Sequence, residues 1–230
     1  MQSMAVENGV ELLRELDVRR ETSALLLVDM VRAYLDPAVA HHPIDGEWAG
    51  RIVAMTEKVL GAARRLGLPP VFVTNWSRKP GPLGPVDRRN PFWTWQAGRP
   101  IPGSTFKRNV GRIVEGAPVA EIHPAIRPLE GEVVVTKRRY SSFFGTDLES
   151  ILKGLGTKSL FIIGVNTNNC VLATCYAAQD RDYQVFVLED CCGSMNGPDY
   201  HELALKQIKA ALGWVLTAEQ FIAYLEGPPA

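Results

Sequence analysis

Four polar or reactive side chains each follow an apolar segment of the chain: Asp29, Asn75, Lys137 and Cys170. The apolar segments resemble strands, and the first of them, 24–28, is continuous and apolar, as a strand buried on both faces of a parallel sheet should be. Because ligands of such sheets bind beyond the carboxyl ends of the strands, we expect these side chains to converge on one edge. A thiolate is a nucleophile, a nearby cation favours it, and a nearby carboxylate can take its proton. The pattern therefore indicates activated-thiol catalysis.

Each of these residues also has an ordinary structural interpretation. An aspartate at a strand end often caps a turn, and a lysine there is usually a solvated charge. A cysteine is commonly buried as a small apolar residue. Cys170, however, lies at the N-terminus of a predicted helix, where the free N–H groups and the helix dipole would lower the pKa of a thiol. The coincidence of Asp29, Lys137 and Cys170 at three strand ends favours the catalytic interpretation.

Strand-like segments alternate with helical patterns along the chain. The predicted strands are 24–28, 70–74, 133–136, 160–163, 185–188 and 214–216, and the predicted helices are 48–66, 146–155, 168–181, 200–212 and 217–224. This alternation predicts an α/β fold: a single doubly wound domain over 1–230, with a six-stranded, mainly parallel sheet in the order 3-2-1-4-5-6 and helices on both faces. Residues 1–20 are predicted to be an N-terminal extension. Residues 75–122 are predicted to be a long loop-rich insertion, which is uncommon unless it covers a site.

Composition limits the classes of partner. Lys plus Arg and Asp plus Glu are 25 each, so the formal net charge is zero and gives no long-range attraction to nucleic acid or anionic membranes. The first twenty residues lack the apolar stretch of a secretory signal, and no segment is apolar for long enough to span a membrane. We therefore expect a cytoplasmic protein with reduced cysteines, a small-molecule substrate, and neither nucleic acid nor membrane as a partner.

Three segments, in order along the chain, resemble the motifs of the isochorismatase-like cysteine hydrolases. They are Leu26–Met30, Val134–Leu148 and Ile163–Thr174. The segment Val187–Cys192 is similar to the acidic turn that follows the next strand in that superfamily. The resemblance covers nearly the whole chain. Within the superfamily, the run Tyr140–Phe143 and the context of Cys170 are most similar to the ureidoacrylate, biuret and carbamoyl-amine amidohydrolases.

This resemblance implies a catalytic triad of Asp29, Lys137 and Cys170, with no cofactor. Asp29 would move the proton from the thiol to the leaving amine, and Lys137 would stabilise both anions. The resemblance also implies a cis peptide between Val165 and Asn166. The N–H groups of Asn166 and Cys170 would then form an oxyanion hole. The reaction would pass through a thioester acyl-enzyme, and the protein would be a homo-oligomer, a dimer or a tetramer.

Residues near the predicted strand ends are candidates for substrate binding. They are Asn75, Trp76, Tyr140, Phe144 and Arg138. Arg138 could pair with a substrate carboxylate in bidentate fashion. The alternatives are that the aromatic residues fill a small core beneath the loops, and that the arginine is solvated or lies at a subunit interface.

The histidines do not predict a metal site. Nicotinamidases of this superfamily hold a metal with Asp and His near the second strand, whereas the segment Asn75–Arg78 contains no histidine. The four histidines, His41, His42, His123 and His201, are expected to be surface or capping residues. We predict that no metal is bound.

Several other functions remain to be weighed. A true isochorismatase cleaves a vinyl ether on the same fold, but in that branch the nucleophilic cysteine is replaced. A dinucleotide-binding oxidoreductase and a thioredoxin-like protein are disfavoured, because the sequence lacks GxGxxG after a predicted strand and lacks CxxC. A non-catalytic binding protein of the same fold stays open, since fold alone does not decide function. The sequence predicts a cysteine-dependent amidohydrolase that cleaves a C–N bond of a small amide, ureido or carbamoyl substrate.

Overall fold

A six-stranded sheet lies at the centre of the part of the chain that the computed structural model describes, residues 8–40, 43–82, 87, 90–96, 99 and 113–227. Its strands are β1 Ser23–Val28, β2 Pro70–Asn75, β3 Val133–Lys137, β4 Ser159–Val165, β5 Gln184–Gly193 and β6 Trp214–Leu216. The order is β3-β2-β1-β4-β5-β6. Every neighbouring pair is parallel. The α/β class and the strand order are confirmed, and the sheet is parallel throughout.

Helices connect these strands. They are α1 Gly9–Glu15, α2 Arg32–Leu35, α3 Gly46–Arg65, α4 Pro91–Gln96, α5 Leu148–Gly154, α6 Leu172–Gln179, α7 Pro198–Ala211 and α8 Ala218–Glu226. A π-helical turn, Thr167–Val171, precedes α6, where the sequence predicts one regular helix over 168–181. No helix among the described residues has the length and hydropathy that crossing a membrane would need.

The two faces of the sheet pack against different helices. Leu25 and Leu27 of β1 belong to a core that they share with apolar residues of α1, α3 and α8. Leu26 and Val28 belong to a second core, shared with α5, α6 and α7. Because successive side chains of a strand point to opposite faces, this division confirms the prediction of helices on both faces.

The N-terminal segment packs onto this fold from residue 8 onward. Leu13 of α1 is fully buried. The Gln184 amide donates a hydrogen bond to the carbonyl oxygen of Leu16 at 3.0 Å, and the Tyr224 hydroxyl donates to that of Val18 at 2.9 Å. Of the predicted insertion 75–122, the structure describes 75–82, 87, 90–96, 99 and 113–122.

Strand β5 is longer than its sequence pattern suggests. The segment Val187–Cys192, expected to be an acidic turn, lies inside a strand that ends at Gly193. The β4–β5 register shifts between Ile162 and Gly164, and this irregularity lets the pairing continue to Val165 and Gly193. All four cysteines are free and buried.

Strand β4 leaves no room for a side chain between Gly164 and β1, and a substitution at Gly164 tests this close packing. Gly164 has φ +136°, and a Cβ at this position would collide with the carbonyl oxygen of Val28. We expect Gly164→Ala to lower the free energy of unfolding by at least about 3 kcal/mol, because the backbone cannot move without breaking the sheet.

The matched control is Gly61→Ala on the exposed side of α3. A Cβ at Gly61 meets nothing within 4 Å, so this change should stabilise the protein by about 0.5–1 kcal/mol. Urea-induced unfolding followed by circular dichroism measures both variants. Equal stability of Gly164→Ala and the wild type would contradict the described packing.

Candidate active site

Asp29, Lys137 and Cys170 meet at the carboxyl ends of three strands. Asp29 follows β1 directly, Lys137 ends β3, and Cys170 lies in the π-helical turn after β4. The Lys137 Nζ lies 2.7 Å from Asp29 Oδ2 and 3.3 Å from Cys170 Sγ. The exposed fractions of the three residues are 0%, 1% and 4%, respectively. The structure therefore brings together the three residues that the sequence singled out for chemistry.

The Lys137 ammonium is fixed by its surroundings. It donates to Asp29 Oδ2, to Cys170 Sγ and, at 3.0 Å, to the carbonyl oxygen of Arg139. An ammonium carries three N–H donors, so each has an acceptor. Because one acceptor is the sulfur of Cys170, positive charge is held directly against the atom that would become the thiolate.

The backbone of Asp29 is strained. Its φ is +54°, in the left-handed region that aspartate enters more readily than most residues. Its N–H donates to the carbonyl oxygen of Val73 at 2.8 Å, and its own carbonyl accepts from the N–H of Val31 at 2.7 Å. Such strain persists only where neighbouring contacts impose it, and it is found most often at functional sites.

The environment favours the protonated thiol of Cys170. Burial raises the pKa of Cys170 to about 12; the charge of Asp29 also raises it, while Lys137 lowers it. The sequence-based expectation of a lowered thiol pKa is therefore wrong for the substrate-free site, because loss of hydration outweighs the ammonium. Burial lowers the pKa of Lys137, but Asp29 and Cys170 raise it by more, so that the lysine stays charged. A nucleophilic role of Cys170 would therefore require that the thiol lose its proton first.

Asn75 extends this polar group. Its Nδ2 donates to Asp29 Oδ2 and to the Tyr34 hydroxyl, both at 3.1 Å. Its Oδ1 is buried and has no hydrogen-bond partner among the described residues. Rotating the amide by half a turn would place this oxygen against the carboxylate of Asp29, so the assigned orientation is the favourable one. A buried acceptor without a donor is costly and provides a place for a ligand N–H.

Tyr34 is a member of the site that sequence reasoning missed. It lies on α2 and is buried, with 7% of its surface exposed. Burial raises the pKa of Tyr34, and the negative charges of Cys170 as a thiolate and of Asp29 raise it further, so the hydroxyl stays protonated. The sequence does place this tyrosine one helical turn beyond the first motif, Leu26–Met30. Tyr34 was missed because the candidates were chosen at the ends of predicted strands, and it follows none.

Arg138 and Trp76 stack on each other beside the ends of β2 and β3. The guanidinium of Arg138 lies 4.1 Å from the Trp76 ring centroid, and its Nε lies 3.6 Å from Asp87 Oδ2. The buried carboxylate of Asp87 also accepts from the Arg78 guanidinium at 2.6 Å. Arg139 donates to the backbone carbonyl of Asp87 at 2.6 Å. These contacts join the ends of β2 and β3 to the loop-rich insertion.

Two further candidates, Tyr140 and Phe144, lie after Lys137 at the protein surface. Their exposed fractions are 37% and 66%. Both follow β3 in the segment that precedes α5. Both side chains are therefore far more exposed than the polar group at the strand ends, which is buried.

Asn166 lies directly before the π-helical turn. The Val165–Asn166 peptide bond is cis, at the position that the resemblance implies. The side chain of Asn166 is buried. The backbone carbonyl oxygen of Asn166 accepts from the N–H groups of Asn169 at 3.1 Å and Val171 at 3.2 Å. These bonds close the chain reversal that places Cys170 beside Lys137.

The histidines have different roles. The His123 Nδ1 caps a short turn by accepting from the N–H of Ala125 at 3.4 Å. His201 was expected to be a surface or capping residue, and this was wrong: it is 2% exposed and shares a 2.8 Å hydrogen bond with Thr167, 34 positions away. No local pattern signals so distant a partner. His41 and His42 lie outside the described residues. Across the described ranges, no group of three or more His, Cys, Asp or Glu side chains could hold a metal.

The fold and this side-chain group define an α/β protein with a buried thiol, ammonium and carboxylate at the carboxyl edge of its sheet. The isochorismatase domain family matches residues 23–220. The chain belongs to this family and is an isochorismatase-family hydrolase.

Curated relatives cover most of the chain. Ureidoacrylate amidohydrolase RutB of Variovorax paradoxus is 29% identical over 207 residues, covering 87% of this chain and 80% of the relative. The protein of that name from Azorhizobium caulinodans is 30% identical over 223 residues, covering 93% of this chain and 95% of the relative.

Solved structures share the fold. A cysteine hydrolase from Pseudomonas syringae has a TM-score of 0.74 at 22% identity, covering 91% of this chain and 94% of that one. N-carbamoylsarcosine amidase from Thermoplasma acidophilum has a TM-score of 0.67 at 26% identity, covering 86% of this chain and 97% of that one.

Proposed function

We propose that the protein is a cysteine-dependent amidohydrolase that cleaves a C–N bond of a small ureido, carbamoyl or amide substrate, with Cys170 as the nucleophile. The observation that carries the proposal is the buried contact of Lys137 with both Asp29 and Cys170, at 2.7 and 3.3 Å. The names of the relatives support the substrate class, since ureidoacrylate and N-carbamoylsarcosine both contain a carbamoyl group on nitrogen.

The acylation step follows from the charges of the site. Because Cys170 is protonated in the free site, Asp29 takes the thiol proton as the sulfur attacks the substrate carbonyl carbon. Lys137 holds both anions during this transfer. When the tetrahedral intermediate collapses, the C–N bond breaks and Asp29 returns the proton to the leaving nitrogen. General acid–base assistance of this kind is typically worth about 10²–10⁴-fold in rate.

Deacylation uses the same groups. The product of the first step is a thioester between Cys170 and the acyl or carbamoyl group. Asp29 removes a proton from water, which attacks the thioester carbonyl. The C–S bond breaks, Cys170 recovers its proton and the carboxylate is restored. No step requires a cofactor.

The oxyanion of each tetrahedral intermediate would be held by the backbone N–H groups of Asn166 and Cys170. Both residues belong to the chain reversal between β4 and α6, and the first N–H groups of a helix have no acceptor within that helix. A single donor of this kind is worth about 10²–10³-fold in kcat.

Substrate binding is proposed for Asn75, Trp76, Tyr140 and Phe144. The Asn75 Oδ1, which has no hydrogen-bond partner in the described part of the chain, fits an N–H donor. A ureido or carbamoyl group carries such donors next to the carbonyl that Cys170 would attack. Tyr140 and Phe144, which are exposed, would contact the substrate at the entrance. Arg138 would act through Trp76, whose ring it covers.

A substrate panel read by ammonia release tests the proposal. It should include ureido acids, biuret, carbamoyl amines and simple amides. Isochorismate represents the alternative chemistry, and its cleavage is followed by the release of pyruvate, because it contains no nitrogen. We expect turnover of a ureido or carbamoyl compound, with loss of that activity after treatment with iodoacetamide. Vinyl-ether cleavage that resists iodoacetamide would favour a true isochorismatase. Binding of a panel member without turnover would favour a non-catalytic binding protein.

A further inference from the structure

We propose that Thr167 and His201 are positioning residues. In this proposal the β5–α7 loop, Ser194–Gly197, together with His201 on α7, holds the nucleophile turn, Asn166–Cys170, in its reacting geometry. The inference rests on the proposed function, because it assigns these contacts to the placement of the oxyanion-hole donors.

The β5–α7 loop is bonded to the side chains of the nucleophile turn. The Asn166 Oδ1 accepts from the N–H of Met195 at 2.7 Å. The Asn168 Oδ1 accepts from the Ser194 hydroxyl at 2.7 Å, and the Asn168 Nδ2 donates to Asn196 Oδ1 at 3.1 Å. The side chains of Asn166 and Asn168 are therefore both hydrogen-bonded to the β5–α7 loop.

His201 provides a further attachment from α7. Its Nδ1 and the Thr167 hydroxyl are 2.8 Å apart, and both side chains are buried. The imidazole also packs edge-to-face on Trp48, with ring centroids 5.3 Å apart, which fixes its orientation. Burial lowers the pKa of His201 to about 4, so the ring stays neutral and the hydrogen bond is unchanged at neutral and alkaline pH.

The turn needs such support because its backbone is irregular. Residues Thr167–Val171 are π-helical, a geometry that is rare and occurs mostly at functional sites. The N–H groups that would hold the oxyanion lie at the two ends of the nucleophile turn, so tilting the turn would move both. A misplacement of about 1 Å in a catalytic geometry can cost about 10²-fold in rate.

Two reactions of Cys170 separate this role from a general effect on the site. Hydrolysis of p-nitrophenyl acetate or of an active panel substrate passes through an oxyanion, whereas alkylation by iodoacetamide requires the thiolate but no oxyanion hole. Thr167→Val keeps the side-chain shape and removes only the hydroxyl. We expect it to lower kcat for hydrolysis by about 10–10²-fold, with little change in KM and no change in the rate or pH profile of alkylation.

Three further variants serve as controls. Thr167→Ser keeps the hydroxyl and should restore most of the activity. Thr157→Val makes the same change near the amino end of β4, where the buried Thr157 hydroxyl has no hydrogen-bond partner among the described residues, so activity should be unchanged. His201→Phe removes the other half of the bond while keeping a ring against Trp48, so it should show the same loss of hydrolysis. It keeps the proposal testable if Thr167→Val fails to fold.

The outcomes separate this inference from the proposed function. Wild-type hydrolysis rates in folded Thr167→Val and His201→Phe would overturn the positioning role and leave the amidohydrolase proposal intact. Equal losses of hydrolysis and alkylation would also overturn it, because they would mean that the whole site is disturbed. If the wild type hydrolyses neither the ester nor any amide, or Cys170→Ser is fully active, the proposed function itself fails.

Discussion

Replacing Cys170 by serine is expected to lower kcat by at least about 10⁴-fold, as removal of the nucleophile does in hydrolases that act through an acyl-enzyme. The serine hydroxyl fills nearly the same space, so Lys137 and Asp29 should keep their contact and the protein should fold. An alcohol is far less acidic than a thiol, however, and Asp29 cannot activate it to the same extent. Steady-state turnover of the best substrate from the panel measures the effect.

The control for this change is Cys175→Ser. Cys175 is a fully buried thiol on α6, outside the polar group at the strand ends. A serine in a helix can donate to the carbonyl one turn earlier, so the variant should fold. It should retain wild-type turnover, which would show that the loss is specific to Cys170. Substantial activity in highly purified Cys170→Ser would exclude the thioester mechanism.

Asp29→Asn is expected to lower kcat by about 10²–10⁴-fold, because the amide keeps the shape of the carboxylate but cannot take the thiol proton or return it to the leaving nitrogen. The change also leaves the Lys137 ammonium buried without its counter-charge. A break of this kind in a buried ion pair costs about 3–5 kcal/mol, so unfolding must be measured alongside activity. Initial rates with saturating substrate, on protein shown to be folded, report the catalytic effect.

Asp190→Asn is the matched control for Asp29→Asn. The partly buried Asp190 lies in β5, and its Oδ1 caps α8 by accepting from the N–H of Ala218 at 2.8 Å. Asparagine caps helices about as well as aspartate. The control should therefore keep both stability and turnover. Retention of wild-type kcat in Asp29→Asn would remove this residue from the chemistry and require another base.

The strand ends were the part of the site that sequence could predict. The segments before Asp29, Lys137 and Cys170 are apolar runs that form strands of a parallel sheet, and parallel strands place their carboxyl ends on one edge. The strand order is restricted because parallel strands need crossover connections, and the register is restricted by the buried faces of the sheet. The sequence could therefore predict that the three side chains lie close together, but it could not predict the distances between their atoms.

Contacts between segments distant in sequence were not predictable in the same way. Tyr34 reaches the site through Asn75, and His201 reaches the nucleophile turn through Thr167, with sequence separations of 41 and 34 residues. The raised pKa of Cys170 was missed for a related reason, since desolvation depends on the packing of the folded chain. The extension of β5 depends on a register shift that no local pattern encodes.

The most direct test of the central claim is the pH dependence of Cys170 alkylation in the wild type, Asp29→Asn and Lys137→Met. Asp29 raises the pKa of Cys170 and Lys137 lowers it, so the two substitutions should act in opposite directions. Below the thiol pKa the alkylation rate rises about tenfold per pH unit, so a plot of the logarithm of the rate against pH is a straight line for each protein. The displacement of a variant's line from that of the wild type gives the difference in the pKa of Cys170. Because coupled groups titrate together, the apparent pKa obtained for each protein belongs to the triad as a whole and not to Cys170 alone.

At any pH in this range, Asp29→Asn should alkylate fastest and Lys137→Met slowest, with the wild type between them. Intact-mass analysis must show a single alkylated cysteine, because an unfolded variant would expose all four buried thiols. If folded Lys137→Met alkylates at Cys170 as fast as the wild type or faster, the ammonium does not stabilise the thiolate, and the proposed triad is contradicted.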